Sequence, residues 1–271
     1  MAAIETDGLS KFYGAERGIE DVTVSVDAGE VFAFLGPNGA GKTTTIRTLL
    51  DLLHPTAGSA RIFGLDSHRD SVAIRARLGN LPGDFGYGKR SSGREALALL
   101  AKLRGLDGLG RAEELAHRFR ADLDRPLGQL SRGNRQKVGL ITALFHSPEL
   151  LILDEPTSGL DPLMQEEFLT LVREERERGC AVFLSSHELD EVERVCDRVG
   201  IIRDGRLVAV ERVSDLLAKT MDRRRVEVEF ADPVELSQVR ELPGVAAAEF
   251  ARQTLEEVFL TYYRDEEAGE R

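Results

Sequence analysis

The run GPNGAGKT at residues 36–43 stands between a short apolar stretch, VFAFL, and a segment, KTTTIRTLLDLL, whose Ile46, Leu49, Leu50 and Leu53 recur at helical spacing. It fits the pattern G-x-x-x-x-G-K-[ST] in the context that pattern requires, after a strand and at the opening of a helix. Glycines at Gly36, Gly39 and Gly41 let backbone N–H groups close around an anion without Cβ clashes, and a helix N-terminus favours negative charge. Lys42 is therefore expected to reach the β/γ-phosphate oxygens of a nucleoside triphosphate and the Thr43 hydroxyl to ligate Mg²⁺. Pro37, Asn38, Ala40 and Thr44 complete the candidate cradle. The helix is expected to stop at His54-Pro55.

Such a loop needs a second metal group, best supplied by a carboxylate ending a neighbouring apolar strand, and LLILDE at 150–155 offers Asp154. Glu155 projects differently from the strand end and is the candidate to polarise a water for attack on the γ-phosphate. Taken alone a strand ending in Asp-Glu says little; beside the loop it supplies what the loop lacks.

The remaining pattern surrounds these two segments with a layered α/β organisation. Val22, Val24 and Val26 alternate with polar residues and read as a strand ahead of 31–35. Residues 91–145 switch to helices: REALALLAKLRGL, RAEELAHRFRADL, and a third from near Ser131 carrying Val138, Leu140, Ile141 and Leu144. Apolar runs return at 150–153, 181–184 and 199–202, separated by helical segments at 163–177 and 189–195, which indicates a parallel sheet with helices on its faces. A hairpin at 206–210 and a short helix at 214–219 lead to the charged MDRRR at 221–225, taken as a soft boundary. Beyond it, a strand at 226–230, a polar helix near 234–240 and an amphipathic helix through Leu255, Val258, Phe259 and Tyr262 are expected.

Hydrophobic residues at 42% and charged residues at 31% are ordinary globular usage, and the net charge of −11 argues against nucleic acid as the main partner. No apolar run approaches the roughly 20 residues a membrane-spanning helix needs. The N-terminal MAAIETDGLSKFYG holds Glu5 and Asp7 and no signal-peptide core, so a cytoplasmic location is expected. Cys180 and Cys196, without CxxC spacing, read as reduced structural thiols.

Further segments resemble those of ABC transporter ATPases in order and spacing, from about Ile4 to Val210. LSRGNRQK at 130–137 resembles that family's signature, SGLDP at 158–162 its D-loop with Asp161, and Ser185-Ser186-His187 its switch histidine, while Tyr13 in KFYG resembles the aromatic that stacks on adenine. The resemblance implies a phosphate-loop NTPase fold of the α/β class, with a mixed or parallel sheet core, an antiparallel N-terminal β subdomain, a helical insertion carrying the signature, and a short C-terminal α+β extension. It implies an ATPase domain over 1–220, its helical subdomain about 85–148, and an accessory extension over 221–271. A homodimer or paired ABC subunit is implied, with Ser131 and Gly133 touching γ-phosphate held by the other subunit. An integral membrane transporter subunit is also implied, which would hold this chain peripherally on the inner face of the cell membrane.

The LPGDF segment, the signature variant and the terminal TLEEVFLTYY resemble the drug-resistance and ABC-2 export group. The alternative is a soluble ABC ATPase acting on ribosomes, DNA or cofactor assembly, but the tandem units or long coiled-coil insertion that would favour it are absent. Two departures stand out. Arg132 and Asn134 replace residues of the usual LSGGQ. By the same resemblance, Gly83 occupies the place of the family's glutamine that contacts metal and the attacking water, leaving Asp84 or an extra water as the expected substitute at the metal.

Overall fold

The computed structural model describes residues 2–83, 90–219, 235–240, 242 and 245. The chain divides into two compact units, Met1–Leu216 and Leu217–Arg271. In the second, the described helix is Leu236–Arg240, inside the polar segment read as helical; the expected strand at 226–230 and the helix through Leu255 and Tyr262 lie outside the described residues, as does Asp84.

The first unit is built on two sheets. In the antiparallel one, β1 (Ala2–Tyr13) pairs with β2 (Glu16–Val22), β3 (Ser25–Asp27) and β5 (Ala57–Ile62), and β5 pairs with β6 (Leu65–Asp66). In the other, strands run in the order β11-β10-β4-β9-β8-β7. Here β7 (Leu78–Leu81), β8 (Leu150–Asp154), β9 (Ala181–Ser186), β4 (Val31–Leu35) and β10 (Arg198–Arg203) are parallel, and β11 (Arg206–Arg212) closes an antiparallel hairpin on β10.

The near-continuous apolar character of β4, β8 and β9 follows from burial on both faces. Phe32, Phe34, Leu150, Ile152, Ala181 and Phe183 point into a core shared with Ile4, Leu9, Ile19 and Ile62 of the antiparallel sheet and with Ile46 and Leu49 of α1 (Lys42–Leu49). Phe183 stacks on Phe32, ring centroids 5.8 Å apart, at the middle of that core. The alternate residues Val31, Ala33, Leu151, Leu153, Val182 and Leu184 face a second core. It is covered by α3 (Gly93–Leu103), α4 (Gly110–Arg118), α5 (Arg132–Leu144), α6 (Pro162–Glu177) and α7 (Leu189–Val195), while α2 (Ser71–Arg77) leads into β7. The α/β phosphate-loop architecture, with its antiparallel N-terminal sheet and its helical insertion, is thus present. Cys180 and Cys196 are both free and buried, and burial pushes the Cys180 thiol up to about 12.

Two local expectations need correction. The Val22–Val24–Val26 alternation is not one strand: β2 ends at Val22 and β3 begins at Ser25, because Val24 bonds through the Thr6 side chain, its N–H donating to Thr6 Oγ1 at 2.9 Å. The helix after the glycine loop also ends early, at Leu49 rather than at His54-Pro55. Asp51 adopts a left-handed φ of 57°, and the N–H groups of Leu52 and Leu53 both donate to the Arg47 carbonyl, closing the helix in a tight turn. α8 (Val213–Lys219) follows β11 as expected.

Candidate functional site

The glycine loop leaves β4 and enters α1 beneath β2 and β10. Gly41 holds φ 108° at the helix entry, and a Cβ there would lie 2.9 Å from the Gly18 carbonyl, so both backbone conformation and space demand glycine. At Gly36 a Cβ would meet the Ile202 carbonyl at 2.3 Å. Pro37, Asn38 and Gly39 form the exposed rim of the loop; Ala40 is buried, and its carbonyl accepts from the Gly205 N–H at 2.9 Å.

Lys42 is 5% exposed and folds back into the loop, where its Nζ donates to the Gly36 carbonyl at 2.7 Å and the Pro37 carbonyl at 3.2 Å. The next side chain reaches the neighbouring strand. Thr43 Oγ1 donates to Asp154 Oδ2 at 2.8 Å, across 111 positions of sequence. Asp154 is buried, and its other oxygen accepts from Ser185 Oγ at 2.6 Å, the residue it faces in the β8–β9 register.

Glu155 follows at once, with a left-handed φ of 49° that turns its side chain out of the strand alternation. Its N–H donates to Ser185 Oγ at 3.0 Å, while Gln136 Nε2, from α5, donates to the Glu155 carbonyl at 3.1 Å and the Pro156 carbonyl at 2.9 Å. Within this clamp the Glu155 carboxylate lies 3.5 Å from Lys42 Nζ on one side and 3.5 Å from His187 Nδ1 on the other. The His187 loop is tied down beneath by Ser186, whose Oγ donates to Glu191 Oε2 at 2.8 Å. Glu191 is buried, and that burial raises its pKa above the usual carboxylate range.

The other predicted residues gather in two neighbouring places. Tyr13 is half exposed. The edge of its ring and the Thr44 methyl both lie within 3.1 Å of where a Gly18 Cβ would stand, which puts the aromatic ring near the start of α1. Ser131 caps α5, accepting from the Asn134 N–H at 3.3 Å. Gly133 packs so closely on the following loop that a Cβ would lie 2.5 Å from the Gly159 carbonyl. Asp161 caps α6 and lies 3.8 Å from Lys137 of α5. Arg132, exposed at the start of α5, donates to Ser158 Oγ at 2.8 Å. Among the described residues no hydrogen bond or ion pair joins Ser131 or Gly133 to the glycine loop. Within one chain they form a separate patch. Gly83 abuts the Asp154 carboxylate, a Cβ there falling 3.0 Å from Asp154 Oδ2.

The arrangement therefore unites a basic, amide-lined anion cradle with hydroxyl and carboxylate oxygens suited to a hard cation, and a carboxylate free to face a water. A protein-family model described as "ABC transporter" matches residues 19–158, just over half of the chain. The chain belongs to the ABC transporter family. Among its relatives, the bacitracin transport ATP-binding protein BcrA of Bacillus licheniformis is 37% identical over 232 residues, 84% of this chain and 75% of the relative. The Nod factor export ATP-binding protein I of Paraburkholderia xenovorans is 36% identical over 261 residues, 94% and 85% of the two chains. A solved structure described as the ATP binding subunit of an ABC transporter superposes with a TM-score of 0.75 at 33% identity, covering 82% of this chain and 94% of its own. This ABC subunit is accordingly an ATPase.

Sequence reasoning missed Ser185 as a partner of Asp154, Gln136 as the clamp on Glu155, and Glu191 beneath the histidine loop. Ser185 ends the apolar run 181–184, but which residue of β8 it faces is set by the strand register. Gln136 and Glu191 are ordinary polar helix residues until the helices are packed.

Proposed function

We propose that this ABC subunit hydrolyses ATP to energise an exporter, in partnership with an integral membrane subunit at the inner face of the cell membrane. We assign roles as follows: the amides of Gly36–Thr43 and Lys42 bind the phosphates, Tyr13 stacks on the base, Thr43 and Asp154 hold Mg²⁺, and Glu155 activates water beside His187. When bound, the cation neutralises charge on the phosphate oxygens. Its fit is supported by the 2.8 Å contact of Thr43 Oγ1 with Asp154 Oδ2, hard oxygen donors brought together by the fold.

The single observation that carries the reading is the position of the Glu155 carboxylate, 3.5 Å from both Lys42 and His187. Lys42 Nζ, now bonded to two loop carbonyls, exchanges them for phosphate oxygens when nucleotide enters. The Glu155 carboxylate takes a proton from the attacking water, and His187 Nδ1 holds that carboxylate in place. Ser131 and Gly133, exposed or half-buried on a separate patch, complete the site from a second subunit in a head-to-tail dimer, with Asp161 on the adjoining loop. The exporter assignment is supported by relatives named for bacitracin transport and Nod factor export.

Glu155→Gln is expected to keep ATP affinity and lower hydrolysis by at least about 10²-fold, the loss typical of a positioned base. Retained turnover removes Glu155 from the mechanism. Isolation from membranes with a co-purifying integral membrane protein is the expected outcome for the partnership, and recovery wholly with ribosomes or DNA contradicts it.

A further inference from the structure

We propose that Asp51, His54 and His68 form a binding site for one divalent transition metal of zinc's class, at the opposite end of α1 from the nucleotide cradle. His68 Nδ1 lies 2.8 Å and His54 Nδ1 3.3 Å from the same oxygen, Asp51 Oδ1, and the three ligand atoms lie within 4.8 Å of one another. The two imidazoles meet edge to face with ring centroids 4.8 Å apart.

Each ring makes its own contact with Asp51 Oδ1. The His54 and His68 side chains are 71% and 62% exposed, so core packing does not hold them there. Ligand atoms around a tetrahedral ion, each about 2.0–2.2 Å from it, stand roughly 3.4 Å apart. The two Nδ1–Oδ1 separations need only sub-ångström adjustment to admit such an ion, and the open side leaves room for water to complete its shell.

The backbone prepares this site. Asp51 holds its left-handed φ of 57°, in a turn fixed by the Leu52 and Leu53 N–H groups on the Arg47 carbonyl, and its carboxylate is 13% exposed. It sits just past the C-terminus of α1, where the helix dipole favours a cation. Arg75 donates to the Leu50 carbonyl at 3.1 Å and lies 3.9 Å from the other carboxylate oxygen, Asp51 Oδ2, which leaves Oδ1 to the imidazoles. That guanidinium weakens cation binding without blocking the ligand atoms. Two imidazoles select zinc, copper or nickel over magnesium and calcium, so the site is chemically distinct from the oxygen donors Thr43 and Asp154. His54 precedes β5 and His68 follows β6, so a bound ion would clamp the end of the nucleotide-binding helix to the antiparallel sheet.

The test uses the metal-stripped full chain, without nucleotide or Mg²⁺, titrated with Zn²⁺ against a chromophoric chelator. Wild type is expected to bind one zinc per chain, and the double variant His54→Ala/His68→Ala to bind at least about tenfold more weakly, the scale on which metal sites respond to altered ligation. Asp154→Asn keeps the zinc. Zinc should raise the melting temperature of wild type and not that of the double variant, since an ion bound only to the folded state stabilises it. If the double variant melts lower in chelator alone, His68→Gln replaces it with the same expected outcomes. No uptake by wild type, or equal affinity in the variant, overturns the proposal.

Discussion

Replacing Gln136 by methionine tests how the turn carrying Glu155 is held. Methionine keeps the length and apolar stem of the side chain but removes both hydrogen bonds from Nε2, to the Glu155 carbonyl at 3.1 Å and the Pro156 carbonyl at 2.9 Å. Gln136 is 7% exposed, so the two carbonyls lose partners that water cannot readily replace. Each lost bond costs about 1 kcal/mol net, more where a buried acceptor is stranded, so a destabilisation of about 2–4 kcal/mol is expected. For a unit of this size that lowers the melting temperature by roughly 5–12 °C. The same bonds hold Glu155 at its left-handed φ of 49°, a conformation that costs a non-glycine residue energy and persists only when its surroundings enforce it. Single-turnover hydrolysis should therefore fall at least about tenfold, a fraction of the loss expected on removing the base itself, while equilibrium ATP binding is unchanged. Calorimetry and rapid-quench hydrolysis read the two effects separately. An unchanged melting temperature with unchanged hydrolysis would refute the clamp; a lower melting temperature with full hydrolysis would leave Gln136 a purely structural residue.

Two further outcomes follow from residues next to β7. Burial, followed by the charge of Arg104, depresses the His146 pKa from 6.5 to about 4; its Nε2 bonds the Leu78 carbonyl and its Nδ1 has no hydrogen-bond partner among the described residues. The folded state thus binds fewer protons than the unfolded one, so His146 contributes stability above pH 6.5 that is lost as pH falls towards 4. Denaturant titrations should show wild type losing about 1–2 kcal/mol more than His146→Gln between pH 6.5 and pH 5, and equal slopes would contradict this. Glu191 and Glu175, whose pKa values are raised by burial, act in the opposite sense but equally in both proteins. At Gly83, an added methyl would lie 3.0 Å from the Asp154 oxygen that accepts from Thr43. Gly83→Ala should lower Mg²⁺ affinity about tenfold, read from the Mg²⁺ dependence of hydrolysis, and an unchanged dependence would show that the carboxylate yields freely.

What was legible in the sequence is what lies contiguous in it. The loop from Gly36 to Thr43 carries its own fold instruction, since each glycine answers a local demand and the flanking strand and helix are periodic. Asp154 and Glu155 were legible because a strand end exposes consecutive side chains in different directions. The early end of α1 was hidden because Leu50 and Leu53 continue the helical spacing, while Asp51, a residue tolerant of left-handed φ, stops the helix from within. β1 was hidden by register shifts at Ala2/Ile4, Leu9/Lys11 and Lys11/Phe12, which break the period-two alternation that identifies a strand. Ser185 depended on the β8–β9 register, and no local pattern encodes which residue of a neighbouring strand will face an aspartate.

Gln136 also bears on how the two patches of the proposed site communicate. It lies on the same helix as Ser131 and Gly133, the residues proposed to meet a partner's nucleotide, and its amide grips the backbone on both sides of the Glu155–Pro156 peptide. Gly133 packs against Gly159 and Arg132 bonds Ser158, so the loop after Glu155 is held against the first turn of α5 as well. A helix is stiff over this length, so a shift of its N-terminus on meeting phosphate is carried to Gln136 about one turn along. In the proposed dimer, contact made by α5 with the partner's nucleotide would therefore adjust the carboxylate of its own chain. Coupling between the two sites then needs no relay through the sheet, because α5 and the loop it touches belong to both.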